Sequence, residues 1–125
     1  MIRGIRGATT VTTDKEELIL SATESLLQQL IKENDVKPEA VISLFISVTH
    51  DLTSTFPAKA IRRFDGWKYV PVMCMQEIPV EGGLPLCIRL MLHVNTSTEQ
   101  KDIHHVYQKE AVRLRPDLVS ENTIK

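Results

Sequence analysis

Along residues 2–12 apolar and β-branched residues alternate with small ones and with two arginines, in the order IRGIRGATTVT. That pattern predicts a strand, and Gly4 and Gly7 leave room beside it for another chain segment or a ligand. The periodicity then becomes helical. Ile19, Ala22, Leu26, Leu27 and Leu30 recur at helical intervals as far as Asn34, and Thr13 and Glu16 have capping-box spacing. Lys37-Pro38-Glu39 restarts the chain, and the run VISLFISV at 41–48 reads as a central strand feeding a polar loop at 49–55. Pro57 suits the first position of a two-turn helix, PAKAIRRF, that would present Lys59, Arg62 and Arg63 as a local basic patch. KYVPVMCMQEIPV, residues 68–80, predicts a strand that Pro71 confines to an edge or a bulge. After the Gly82-Gly83 turn, LCIRLMLHVNT sets Ile88, Leu90, Leu92 and Val94 on one face and Cys87, Arg89, Met91 and His93 on the other. A last extended piece around HHVYQKEAVRLRP carries Tyr107 and Arg115, and the polar end from about residue 116 is expected to be mobile. The whole predicts one α+β domain over residues 1–125: a mixed sheet of four or five strands with one long helix and short helical turns.

Composition narrows the classes of function. The chain is 42% hydrophobic and 25% charged with a formal charge of −1, so no global basic field recruits nucleic acid or an anionic membrane. VISLFISV is far shorter than the roughly 20 residues of a membrane span, and MIRGIRG lacks the apolar core of a signal peptide, so a cytoplasmic chain is expected. Cys74 and Cys87 have neither zinc-site spacing nor the density of a disulfide scaffold, so both are expected to be reduced thiols.

Arg6 and Arg89 lie in segments that otherwise favour burial, and a buried arginine needs an anionic partner. An intramolecular salt bridge or a snorkelling side chain would satisfy either one alone. Two guanidinium forks from separate strands also suit a small polyanionic ligand. His104-His105 reads as surface polarity, because neighbours in a strand point to opposite faces. Cys74 has no accompanying His-Asn or His-Asp signature and reads as a packing or contact residue, and Glu77 beside Pro79 reads by itself as a solvated carboxylate.

IRGIRGATT, FPAKAIRR, GWKYVPVMCMQEIPVEGGLPLCIR and HVYQKEAVRLRPDL resemble, in order and spacing, the monofunctional chorismate mutases of the trimeric pseudo-α/β-barrel class. The resemblance runs nearly end to end. It implies the Claisen rearrangement of chorismate to prephenate, on the branch leading to phenylalanine and tyrosine, with no metal and no cofactor. A pericyclic step needs neither nucleophile nor proton relay. It needs a flexible dicarboxylate held in its reactive shape and charge placed opposite the breaking ether bond.

Matched position by position, the resemblance implies that Arg89 lies beside the ether oxygen and that Arg6 and Tyr107 contact carboxylate. Glu77 and Cys74 match the pair near the ring hydroxyl, and Met75 and Gln76 share that pocket-lining stretch. Phe56, Ala58, Lys59, Arg62, Val72 and Met73 match positions that line the pocket from a neighbouring subunit. At Met73, where the family often has a small polar residue, the implied contact is through the main chain. Leu114 and Arg115 match the segment that closes over the site. Two other classes stand beside this reading: a non-catalytic trimeric module that binds an anionic metabolite, and a deaminase-like enzyme of similar architecture.

Overall fold

A computed structural model describes residues 1–117. Five strands, β1 (Ile2–Thr10), β2 (Val41–Val48), β3 (Val72–Gln76), β4 (Cys87–Asn95) and β5 (Val106–Tyr107), form one mixed sheet in the order β3-β2-β4-β1-β5. The helix α1 spans Glu16–Asn34, and 3₁₀ segments at Pro57–Arg63 and Lys109–Leu114 flank the sheet. β4 lies at the centre, antiparallel to both β1 and β2, while β3 runs parallel to β2 at an edge; the strand expected over 68–80 shrinks to Val72–Gln76 and begins only after Pro71, which has no N–H to give a ladder.

The alternation along β4 sorts as its sequence predicts. Ile88, Leu90, Leu92 and Val94 are buried together with Ile5, Leu44 and Ile46 and with Ile19, Leu26, Leu27 and Leu30 of α1. Each such aliphatic side chain contributes about 1.5–3 kcal/mol on leaving water. Gly7 serves this packing rather than a ligand. A Cβ there would lie 2.9 Å from Leu30 Cδ1 and 3.1 Å from Leu26 Cδ1, so the missing side chain lets α1 approach β1.

Among the described residues the opposite face of the sheet carries no α-helix, and only the 3₁₀ segment Lys109–Leu114 packs on part of it, over Ala8. Register places Arg6, Ala8, Ser43, Phe45, Ser47, Met73, Met75, Arg89, Met91 and His93 there. Met73 and Met75 are exposed, whereas Ala8 is buried under Tyr107 and Ala111 in a small second cluster against which Leu114 packs.

Several local expectations are corrected. Thr13 does not cap α1. Lys15 holds the cap position without a side-chain hydrogen bond. Asp14 instead accepts from the Thr53 amide and hydroxyl (3.1 and 2.9 Å) and the Ser54 amide (3.1 Å), and Glu16 pairs with Lys59 at 2.7 Å. Tertiary partners therefore outbid the local box. PAKAIRRF is 3₁₀ rather than α-helical, and its basic patch is largely neutralised, because Arg63 pairs with Glu24 at 2.8 Å as Lys59 does with Glu16. The extended piece expected over 104–116 shrinks to Val106–Tyr107. The Gln108 amide donates the last ladder bond, to Ala8 at 2.9 Å, and Lys109, at φ 54°, turns the chain into a 3₁₀ segment. Beyond Asp117 the expected mobile tail lies outside the described residues.

Candidate active site

β1 and β4 bring the two arginines side by side. Arg6 pairs with Met91 and Arg89 with Ala8, so they are diagonal neighbours on the uncovered face, a relation that separates backbones by about 7–8 Å. Arg6 Nε donates to the Tyr107 hydroxyl at 2.9 Å, a contact set by the short parallel pairing of β5 with β1. One residue before that pairing begins, the Arg6 amide donates to His105 Nδ1 at 3.0 Å. Burial pushes the His105 imidazole below its ordinary pKa, and the neighbouring Arg6 and Arg115 charges push it further. The ring is thus an accepting, uncharged side chain that extends the ladder, not the surface polarity its sequence suggested.

Arg89 faces Glu77. Its Nε lies 3.3 Å from a Glu77 carboxylate oxygen, close enough for an ion pair, yet the buried N–H is not aligned with that oxygen and makes no hydrogen bond. Glu77 is held by its own amide, which donates to the Val48 carbonyl at 2.8 Å, and by accepting the Ile78 amide at 2.9 Å. Both residues line a cleft of about 250 Å³ with Thr49, His50 and Asp51. Arg115 pairs with Asp117 at 2.9 Å, which raises its pKa.

The remaining site residues named from the sequence lie elsewhere. Phe56, Ala58, Lys59, Arg62, Val72, Met73 and Cys74 line a cleft of about 960 Å³ beside the 3₁₀ segment Pro57–Arg63. An adjoining cleft of about 740 Å³ adds Met75 and Gln76. Arg62 is exposed and has no ion-pair partner among the described residues. Neither cleft contains Arg6, Arg89 or Glu77. One chain therefore presents two groups: arginines and Glu77 on the uncovered sheet face, and an aromatic and basic rim along the β3 edge.

Burial pushes both thiols up, Cys74 against a partial opposing bond from the Ala58 backbone and Cys87 against the pull of the Arg89 guanidinium, so neither is a ready thiolate. Among the described residues no three His, Cys, Asp or Glu side chains are grouped to hold a metal ion, and no helix is long and apolar enough to cross a membrane. The fold and site define a protein that sets two arginines, a tyrosine and a glutamate together on one face of a mixed sheet.

Residues 2–118 match the family model described as chorismate mutase type I, and the chain belongs to that family. It is 56% identical over 124 residues to chorismate mutase AroH of Bacillus subtilis (strain 168), covering 98% of each chain. Chorismate mutase AroH of Thermus thermophilus is 47% identical over 121 residues, covering 96% of this chain and 98% of that one. The fold matches a chorismate mutase from Clostridium thermocellum with a TM-score of 0.84 at 44% identity, covering 87% of this chain and 96% of that one. The activity is accordingly that of a chorismate mutase, an isomerase of aromatic amino acid biosynthesis. Neither the non-catalytic module nor the deaminase-like enzyme is what these matches describe.

Two groups near the arginines were not signalled by sequence. Asp51 sits in a turn-rich stretch where an aspartate is unremarked, and its long-range partner is 35 residues away. His105 stands in the sequence as one of a histidine pair, and its position one residue before the β5 pairing is what gives its ring a backbone partner.

Proposed function

We propose that chorismate binds across the uncovered face with Arg6 and Tyr107 holding a carboxylate and Arg89 facing the ether oxygen. Negative charge grows on that oxygen only as the C–O bond breaks, so a cation fixed opposite it stabilises the transition state more than the substrate. Glu77 takes the ring hydroxyl and keeps the Arg89 guanidinium oriented. The observation that carries this reading is the buried Arg89 Nε, which has a carboxylate at ion-pair distance but no hydrogen bond. A buried charged donor without an acceptor is costly, and a substrate oxygen would satisfy it.

The second group completes the site from a neighbouring copy. In a homotrimer closing into a pseudo-α/β barrel, Phe56, Ala58, Lys59, Arg62, Val72, Met73, Cys74, Met75 and Gln76 of one chain would face Arg6 and Arg89 of the next, with Leu114 and Arg115 closing over the substrate. The uncovered sheet face and exposed Phe56, Met73, Ile78 and Val80 support burial against another chain. The setting is the cytoplasm, with chorismate as substrate and prephenate as product. The test is loss of the chorismate diene absorbance by purified protein, with light scattering on the same sample. Three chains per active particle are expected, and a fully active monomer overturns the shared site.

A further inference from the structure

We propose that Asp51 is a positioning residue for Arg89, an inference that rests on the role given to Arg89 above. Both carboxylate oxygens of Asp51 accept the Leu86 amide, at 3.2 and 3.0 Å. Leu86 has φ 51°, the left-handed region that a branched aliphatic residue rarely adopts, so an outside partner is needed to hold it there. The Thr49 hydroxyl donates to Asp51 at 2.5 Å. That donation orients its lone pairs toward the Cys87 amide, which it accepts at 3.0 Å, while the Thr49 amide donates to the Cys87 carbonyl at 3.1 Å.

Leu86 immediately precedes β4, which starts at Cys87, and Arg89 is two positions beyond Cys87. The Leu86 carbonyl in turn accepts the Val11 amide at 3.0 Å, joining this start to the chain just beyond β1. On the other side, the Val48 carbonyl immediately before the turn takes the Glu77 amide at 2.8 Å. The end of β2 and the turn that follows it thus anchor both members of the Arg89–Glu77 pair, and Asp51 and Arg89 line the same cleft. Asp51 makes no ion pair with Arg89 among the described residues. It acts through the backbone of Leu86 and Cys87, fixing where the strand begins and hence where the guanidinium points.

The test is a double-mutant cycle on kcat and KM for chorismate, with Asp51→Ala and Arg89→Lys made singly and together. Asp51→Ala should lower kcat about tenfold to a hundredfold, the scale of a displaced catalytic group, and leave KM within about threefold. A lysine ammonium is a point charge on a flexible stem, so with Arg89→Lys already in place the loss should shrink to about threefold or less. Equal losses in the two backgrounds would mean that Asp51 acts independently of Arg89 and would overturn the inference. Asp51→Asn keeps one acceptor oxygen and should fall between wild type and Asp51→Ala. Circular dichroism and gel filtration accompany each variant. If both Asp51 variants fail to fold, Asp51 serves the fold itself and the inference is refuted. A near-normal kcat for Arg89→Ala would instead refute the role of Arg89, separately from that of Asp51.

Discussion

Arg89→Ala separates catalysis from stability with one substitution. The guanidinium side chain is 41% exposed and the carboxylate of Glu77 28%, so the pair is screened by solvent and is worth at most about 1 kcal/mol to the fold. Removing the arginine leaves Glu77 partly solvated, and it leaves the buried alternation of Ile88, Leu90 and Leu92 intact. The melting temperature should therefore fall by only a few degrees, roughly what 1 kcal/mol gives for a chain of this size. The loss in turnover should be of another order. A group whose charge is used only in the transition state costs about 2.7–4 kcal/mol when removed, or about a hundredfold to a thousandfold in kcat. The measurement is kcat at saturating chorismate by diene absorbance, on a variant whose size and melting curve match the wild type. A near-normal kcat would refute the assignment, and a parallel collapse of stability would show that the arginine serves the sheet.

Arg6→Ala should behave differently, raising KM with a smaller loss in kcat, because a carboxylate is present in substrate and transition state alike; steady-state kinetics separates the two. Gly7→Ala should destabilise the protein by about 1–3 kcal/mol, read by denaturant unfolding, since the added carbon meets Leu30 at 2.9 Å and the Val106 carbonyl at 3.3 Å. His105 carries a pH signature: its folded-state pKa lies below the ordinary 6.5, so the unfolded chain takes up the proton first. Stability should be flat with respect to this group above about pH 6.5 and fall as pH drops below it, until the folded pKa is passed, and His105→Gln should remove that part of the slope in melting curves between about pH 7.5 and 5.5.

The sheet and its buried face were legible because their signals are local. Alternation along 86–96 and helical spacing over 19–30 each follow from neighbours in sequence and are met in the structure, as is the edge position of the strand that starts just after Pro71. The failures share a cause as well. Thr13 and Glu16 have the spacing of a capping box, but Asp14 and Glu16 find stronger partners in Thr53, Ser54 and Lys59, about 40 residues away in the chain. The basic run of Lys59, Arg62 and Arg63 loses two of its charges to acidic residues of α1, whose facing positions no local pattern gives. His105 gains its role only through the β1–β5 pairing. Among the candidate site residues, Arg6 and Arg89 were marked by charge in apolar segments, a local conflict. Phe56, Ala58 and Val72 carry no such conflict, and only the likeness of whole motifs to a family singled them out.

The two separate groups of site residues make a prediction that a single-chain site cannot share. Arg89 lines one cleft of the chain and Arg62 another, and the Arg62 cleft is open at exposed Phe56 and Met73. If each working site takes Arg89 from one copy and Arg62 from the next, Arg89→Ala and Arg62→Ala chains each assemble into trimers with every site damaged. Unfolding the two together and refolding them at equal concentration randomises the copies. A site is then intact whenever its Arg89 comes from an Arg62→Ala chain and its Arg62 from an Arg89→Ala chain, which happens at about a quarter of the interfaces in a cyclic trimer. Activity should rise to about a quarter of the wild-type value, well above either parent, and each parent refolded alone should stay low. Were both arginines drawn from one chain, mixing would create no intact site, and activity would remain the average of the two parents. That average, measured on refolded mixtures confirmed as trimers by light scattering, would refute the shared site while leaving the assignment of Arg89 to the ether oxygen untouched.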